Sequence, residues 1–177
     1  MPTTKKNSTT LVTEVSVDPA AGPPKVEVPA THLEKWQAAA ASAAKTGRMA
    51  NTLAKALAQR SSKRWKFVDF LGPAGRESAG IVDIVAIRKS GGKPNHPAHP
   101  QLKSLDLFDI TLIQVKGGSA PKPTEEDIDR LKAVKDVYRA KAIVLFQWRK
   151  GVASGFYLLD EVTHAWVQTP SKALFGS

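Results

Sequence analysis

Two apolar stretches, Gly80-Ile-Val-Asp-Ile-Val-Ala-Ile87 and Phe108-Asp-Ile-Thr-Leu-Ile-Gln-Val-Lys116, carry polar residues at particular places within otherwise hydrophobic runs. Alternate side chains of a strand share a face. In the first stretch Ile81, Asp83, Val85 and Ile87 therefore point one way and Val82, Ile84 and Ala86 the other, which makes both faces apolar and predicts a central strand. In the second, Gln114 and Lys116 share a face near the C-terminal end, after Phe108, Ile110 and Leu112. If the two strands pair, Asp83 sits beside both Gln114 and Lys116. An acid, an amide and a lysine converging on one sheet face suit a metal ion and phosphate chemistry.

The pattern elsewhere predicts the neighbours of these strands. Thr31-His-Leu-Glu34 fits a capping box, so a helix starts there. Leu33, Trp36, Ala40, Ala43, Gly47, Ala50, Leu53 and Leu57 then recur at a spacing of three to four, giving one thin, Ala-rich packing stripe. Gly47 weakens this helix by about 1 kcal/mol relative to Ala, and marks either a break between two helices or a close approach to the sheet. Trp65 to Leu71 has the aromatic and branched residues of a strand and ends at Gly72-Pro73. A small-residue loop holding Arg76, Glu77 and Ser78 leads into the Asp83 strand.

Arg88 to Ser104, interrupted by Gly and Pro, reads as a long hairpin loop; His96 and His99 stand three apart in it, without a third ligand to complete a metal site. Gly117-Gly118-Ser119 and Pro121 to Pro123 form a turn, after which Thr124, Glu125, Glu126 and Asp127 at the box position predict a second helix with Ile128, Leu131, Val134 or Lys135, and Tyr138 along its apolar stripe. Ala142 to Trp148 is then a buried strand parallel to the Gln114 strand through a right-handed crossover. Gly155 to Leu159 offers a further strand, and the ambiguous stretch Glu161 to Ser177 has Trp166 and Phe175 as packing anchors. Residues 1–30, with Pro19, Pro23, Pro24 and Pro29, read as a disordered or extended tail, and residues 31–177 as a single domain.

Composition narrows the chemistry. The absence of cysteine excludes disulfides, thiolate metal sites and a cysteine nucleophile. No run of about 18 apolar residues is present and the polar start from Met1 to Thr10 lacks the apolar core of a secretory signal, so a soluble, cytoplasmic protein with no membrane partner is expected. A formal charge of +10 and a pI near 9.9 favour a polyanion, with nucleic acid as the leading candidate. Arg48 and Lys55 on the first helix, Arg76 in the loop before the Asp83 strand, and Ser119 and Lys122 beyond Lys116 are the candidate phosphate contacts, although a solvated basic face and ordinary turn chemistry account for them equally well.

The order helix, three strands, helix, strand, with Val82-Asp83 in the middle strand and Gln114-Val115-Lys116 ending the third, resembles the PD-(D/E)XK nuclease superfamily, whose members include restriction enzymes and Holliday junction resolvases. The resemblance covers about residues 31–150. It implies an α/β fold, a restriction endonuclease-like αβββαβ core with a mixed central sheet flanked by helices. It implies Mg²⁺-dependent, or Mn²⁺-dependent, hydrolysis of DNA, with Asp83, Gln114 and the Val115 carbonyl as metal ligands and Lys116 orienting the attacking water. A homodimer is an assembly consistent with it. Gln114 stands where that family has Glu or Asp, and the first helix offers Asn51 or Ala50 where resolvase-like members have an acid. Glu77 is the candidate second carboxylate, with Glu34 the alternative. The competing expectation is a degenerate nuclease fold that binds nucleic acid without cutting, or an Asp83–Lys116 ion pair that only holds the sheet.

Overall fold

The computed structural model describes residues 32–70, 80–92 and 99–176. The expected N-terminal tail, the Thr31 cap, the loop with Arg76, Glu77 and Ser78, and His96 lie outside the described residues. The chain runs α1 (His32–Ser61), β1 (Lys66–Asp69), β2 (Ile84–Lys89), β3 (Phe108–Gly117), α2 (Glu125–Tyr138), β4 (Ala142–Arg149), β5 (Val152–Leu159), β6 (Trp166–Gln168) and α3 (Ser171–Phe175). The six strands lie side by side in chain order. All neighbours are antiparallel except β3 and β4, which are parallel and joined through α2. The result is a mixed α/β protein with a mixed sheet flanked by helices.

Each element has a local cause. At the start of α2, Asp127 N donates to Thr124 Oγ1 at 3.2 Å and Thr124 N donates to Asp127 Oδ2 at 3.3 Å, so the expected capping box is present. Its last turn closes on Arg139, which adopts the left-handed conformation (φ 51°) and donates back to the Asp136 carbonyl. Helix α1 is continuous over 30 residues, about 45 Å at the standard rise, so Gly47 breaks nothing. Only its C-terminal half is packed, through Ala50, Asn51, Ala54 and Ala58, whereas Leu33 and Trp36 are each 66% exposed.

The core splits across the sheet. On the α1 face, Ala54 and Ala58 meet Ile84, Ala86, Ile113, Val144, Phe146 and Phe156. On the α2 face, Ile128 and Leu131 meet Ile143 and Leu159. Phe175 closes the first layer: fully buried, it stands edge-on to Trp65, Phe67 and Phe156 with ring centroids 5.5–5.7 Å away. The expected anchoring role of Phe175 is therefore seen, and the ambiguous C-terminal stretch resolves into β6 and a short α3. Tyr138, expected on the apolar stripe of α2, is instead 63% exposed, because α2 covers β4 more than the β1–β2 side of the sheet.

The bounds of β1 and β2 differ from the sequence reading. The β2 ladder begins at Ile84 rather than Gly80 and runs on to Lys89, so Arg88 belongs to the strand and not to the following loop. The reason is a partner out of reach of local pattern: Arg88 faces Asp109 across the β2–β3 ladder, its Nε donates to Asp109 Oδ2 at 3.1 Å, and its guanidinium lies 4.7 Å from the Trp65 ring centroid. Strand β1 is shorter than Trp65–Leu71, with Trp65 turned into the core instead.

Asp109 is 2% exposed, and the Lys141 ammonium sits 2.5 Å from its other oxygen. Burial pushes the Asp109 carboxyl up, but hydrogen bonds from Lys141, Arg88 and Ser90 together outweigh it and hold the group below its ordinary value of 3.8. A carboxyl depressed on folding contributes stability that is complete above the unfolded pKa and is lost as pH falls through the folded one. Acid denaturation should therefore steepen below about pH 4, and Asp109→Asn should remove that component while costing about 2 kcal/mol at neutral pH; both are read by urea unfolding across a pH series. Phe175→Ala should cost about 3–5 kcal/mol in the same assay.

Candidate functional site

The sheet ladder positions the two candidate motifs against each other. The last β2–β3 pair is Ile84 with Ile113, which leaves Asp83 one step beyond the ladder and next to Gln114. There the Asp83 amide donates to the Ile113 carbonyl at 3.1 Å, and the Val115 amide donates to Asp83 Oδ2 at 2.6 Å. The carboxylate thus takes the place of the backbone acceptor that a continuing β2 would have supplied. In a strand the N–H and C=O of one residue face the same neighbour. The Val115 carbonyl therefore faces the Asp83 side as well, past the end of the β2 ladder.

A cavity of about 680 Å³ opens at this end of the sheet, and Asp83, Gln114, Val115 and Lys116 all line it. Gln114 is 3% exposed, and its Oε1 is enclosed without a hydrogen-bond partner. An enclosed carbonyl oxygen left unpaired costs about 1–3 kcal/mol, and a half-turn of the terminal amide exchanges oxygen and nitrogen without changing its shape. Lys116 is half-buried. Among the described residues no ion pair joins Asp83 to Lys116, so a direct pair between these two side chains does not hold the strand register.

The opposite wall comes from α1, through Ala39, Ser42, Ala43, Thr46 and Gly47. These small residues let the helix pass close to the end of β3. A Cβ on Gly117 would stand 3.1 Å from the Ala50 Cβ and 3.3 Å from Thr46 Cγ2. Gly118 adopts φ +66°, and a Cβ there would stand 3.1 Å from the same Thr46 methyl. The sequence reading took Gly117-Gly118 only as a turn; the i, i+3, i+4, i+7 run of small residues on α1 was the signal that a second surface needed their lack of side chains.

The other candidates fall in several places. Ser119 lies on the cavity rim. Lys122 holds its ammonium 5.3 Å from the Tyr157 ring centroid. Lys55 is ion-paired to Asp69, tying α1 to β1. Arg48 is exposed on α1 beside Met49, Leu53 and Trp148. Glu34 sits in the first turn of α1 and does not line the cavity, nor do Ala50 and Asn51. Glu77 and Arg76 lie outside the described residues.

Among the described residues no three His, Asp or Glu side chains group closely enough to hold a metal by themselves. The residues lining the cavity offer between them one carboxylate (Asp83), one amide oxygen (Gln114) and backbone carbonyls. All are hard oxygen ligands of the kind Mg²⁺ and Mn²⁺ accept. Gly118→Ala should cost about 1–2 kcal/mol from the left-handed backbone alone, and more than Gly151→Ala, whose φ is +77° but whose Cβ would meet nothing within 4 Å. Equal losses for both variants in urea unfolding would contradict the close approach of α1.

Among the described residues no helix is long and apolar enough to cross a membrane. No family model matches the chain, and neither a curated protein nor a solved structure matches it.

Proposed function

We propose that the chain is a metal-dependent endonuclease acting on DNA, built on a restriction endonuclease-like αβββαβ core formed by α1 to β4. The observation that carries this reading is the convergence of Asp83, Gln114, the Val115 backbone and Lys116 on one cavity, with the Gln114 Oε1 enclosed and unpartnered. The net charge of +10 supports a phosphate backbone as the ligand.

In this reading Asp83, Gln114 Oε1 and the Val115 carbonyl would hold a hard divalent cation, which would supply Lewis-acid chemistry to a phosphate and a water there. The residues themselves do the rest. The Val115 amide fixes the orientation of the Asp83 carboxylate through its 2.6 Å hydrogen bond, so no rotamer search is needed when the site fills. The Lys116 ammonium, two residues beyond Gln114 on the same strand face, orients the attacking water and offsets the negative charge that builds on the phosphate oxygens. The α1 wall limits the approach of bulk water from one side.

A second reading, a DNA-binding protein with this fold that no longer cuts, is favoured by one feature. Gln114 replaces a charged ligand, and Asp83 is the only carboxylate among the described cavity residues.

Incubation with supercoiled plasmid in Mg²⁺, Mn²⁺ or chelator separates the two. Metal-dependent nicking that falls about 100-fold or more in Asp83→Ala and in Lys116→Ala is the expected result. Gln114→Glu should lower the metal concentration needed for half-maximal cutting, since it restores a charged ligand. Nicking that survives both alanine variants would sink the site assignment, whereas salt-sensitive binding with no cutting in either metal would establish the second reading.

A further inference from the structure

The cavity wall contributed by α1 does not stop at the cavity. From His32 to Ala43 every residue of the helix is exposed, so its N-terminal half projects beyond the sheet. Ala39 is the outermost α1 residue of the cavity. At 100° per residue, His32, Lys35 and Trp36 fall within about 60° of the direction in which Ala39, Ser42, Ala43, Thr46 and Gly47 face. The projecting helix therefore carries one continuous face, small beside the cavity and aromatic and basic beyond it.

Trp36 is the large side chain on this face, and 66% of it is exposed. Its indole Nε1 donates to His32 Nε2 at 3.4 Å across one helical turn, and the two ring centroids are 6.0 Å apart at a tilt of 49°. The ring is held by a neighbour on its own helix rather than by the core. Trp36 begins less than one turn, about 4.5 Å of axial rise, beyond Ala39.

We propose that Trp36, supported by His32, is a stacking platform for an unpaired nucleobase, and that the substrate is DNA with a single-stranded segment adjoining the cleaved bond. This rests on the nuclease reading of the cavity and names its substrate class. The occupant follows from chemistry on both sides of the ring. Lys35 precedes it on the same face and Lys116 lines the cavity beyond it, so the surroundings attract phosphate. An exposed indole adds a π-face that binds any base. Within a duplex the base faces are already stacked on one another and are out of its reach, whereas an unpaired base offers its face freely. A nucleotide stacked on Trp36 would place its neighbour over the cavity.

The test is fluorescence anisotropy with the full chain in chelator, where no cutting occurs, using labelled single-stranded DNA, a blunt duplex, and the same duplex with a single-stranded tail. Trp36→Ala should weaken binding to the single strand and the tailed duplex about tenfold while leaving the blunt duplex within about twofold, and Trp36→Phe should recover most of the loss. Ala preserves the helix and the site is exposed, so an unchanged circular dichroism spectrum and thermal midpoint are expected. Equal loss on all three ligands, or no loss on any, would overturn the proposal. So would a native dimer that Trp36→Ala converts to a monomer in sedimentation without changing DNA affinity, since the face would then belong to a second copy. Native chain that cuts DNA in metal but shows no Trp36 dependence would refute the substrate class alone; native chain that neither binds nor cuts any DNA would refute the nuclease reading and this inference together.

Discussion

Register between β2 and β3 is the constraint on which the rest of the site depends. The ladder ends at Ile84 and Ile113, and from that point the Asp83 carboxylate, not another backbone carbonyl, accepts the Val115 amide. A slip of one residue would turn Gln114 and Lys116 to the opposite face and leave the Val115 amide without its acceptor. Apolar residues on both faces oppose such a slip, because Ile113 belongs to the α1 layer while Ile143, on neighbouring β4, belongs to the α2 layer. The core and the Asp83–Val115 hydrogen bond together fix the alignment of Asp83, Gln114 and Lys116.

Placement of α1 supplies the second requirement, a walled cavity. Its small residues approach the end of β3 closely enough that neither Gly117 nor Gly118 has room for an ordinary side chain without displacement of Thr46. At the other end of β3, the Asp109 cluster with Arg88, Lys141 and the Trp65 ring holds the sheet through charge and aromatic contact. The strand therefore has one end whose carboxylate is ion-paired with two basic side chains and another end whose Gln114 oxygen is enclosed without a hydrogen-bond partner. That asymmetry separates a structural cluster from a candidate site on the same element.

Much of this was legible in the sequence because its causes are local. The Thr124–Asp127 box, the apolar run of β3 and the buried β4 all follow from neighbours within a few residues, and each was found where expected. The pairing of Asp83 with the Gln114 segment also followed, since two strands apolar on both faces seek each other in a sheet centre. What escaped were effects of distant partners. Arg88 read as the start of a loop until Asp109 faced it across the ladder. Gly117 and Gly118 read as turn residues until α1 passed over them. The hydrogen bond from the Val115 amide to the Asp83 carboxylate likewise came from a backbone donor, which side-chain identity does not reveal.

The central claim is that Asp83, Gln114 and the Val115 carbonyl together form a cation site. Its most direct test is Mn²⁺ titration of the purified chain followed by electron paramagnetic resonance, comparing the native protein with Asp83→Asn, a near-isosteric change that removes the charge and one acceptor oxygen while leaving the other to accept the Val115 amide. The account predicts saturable Mn²⁺ binding in the native chain that Mg²⁺ displaces and Asp83→Asn loses. Native Mn²⁺ binding that Asp83→Asn leaves intact, or no saturable binding at all, would contradict it.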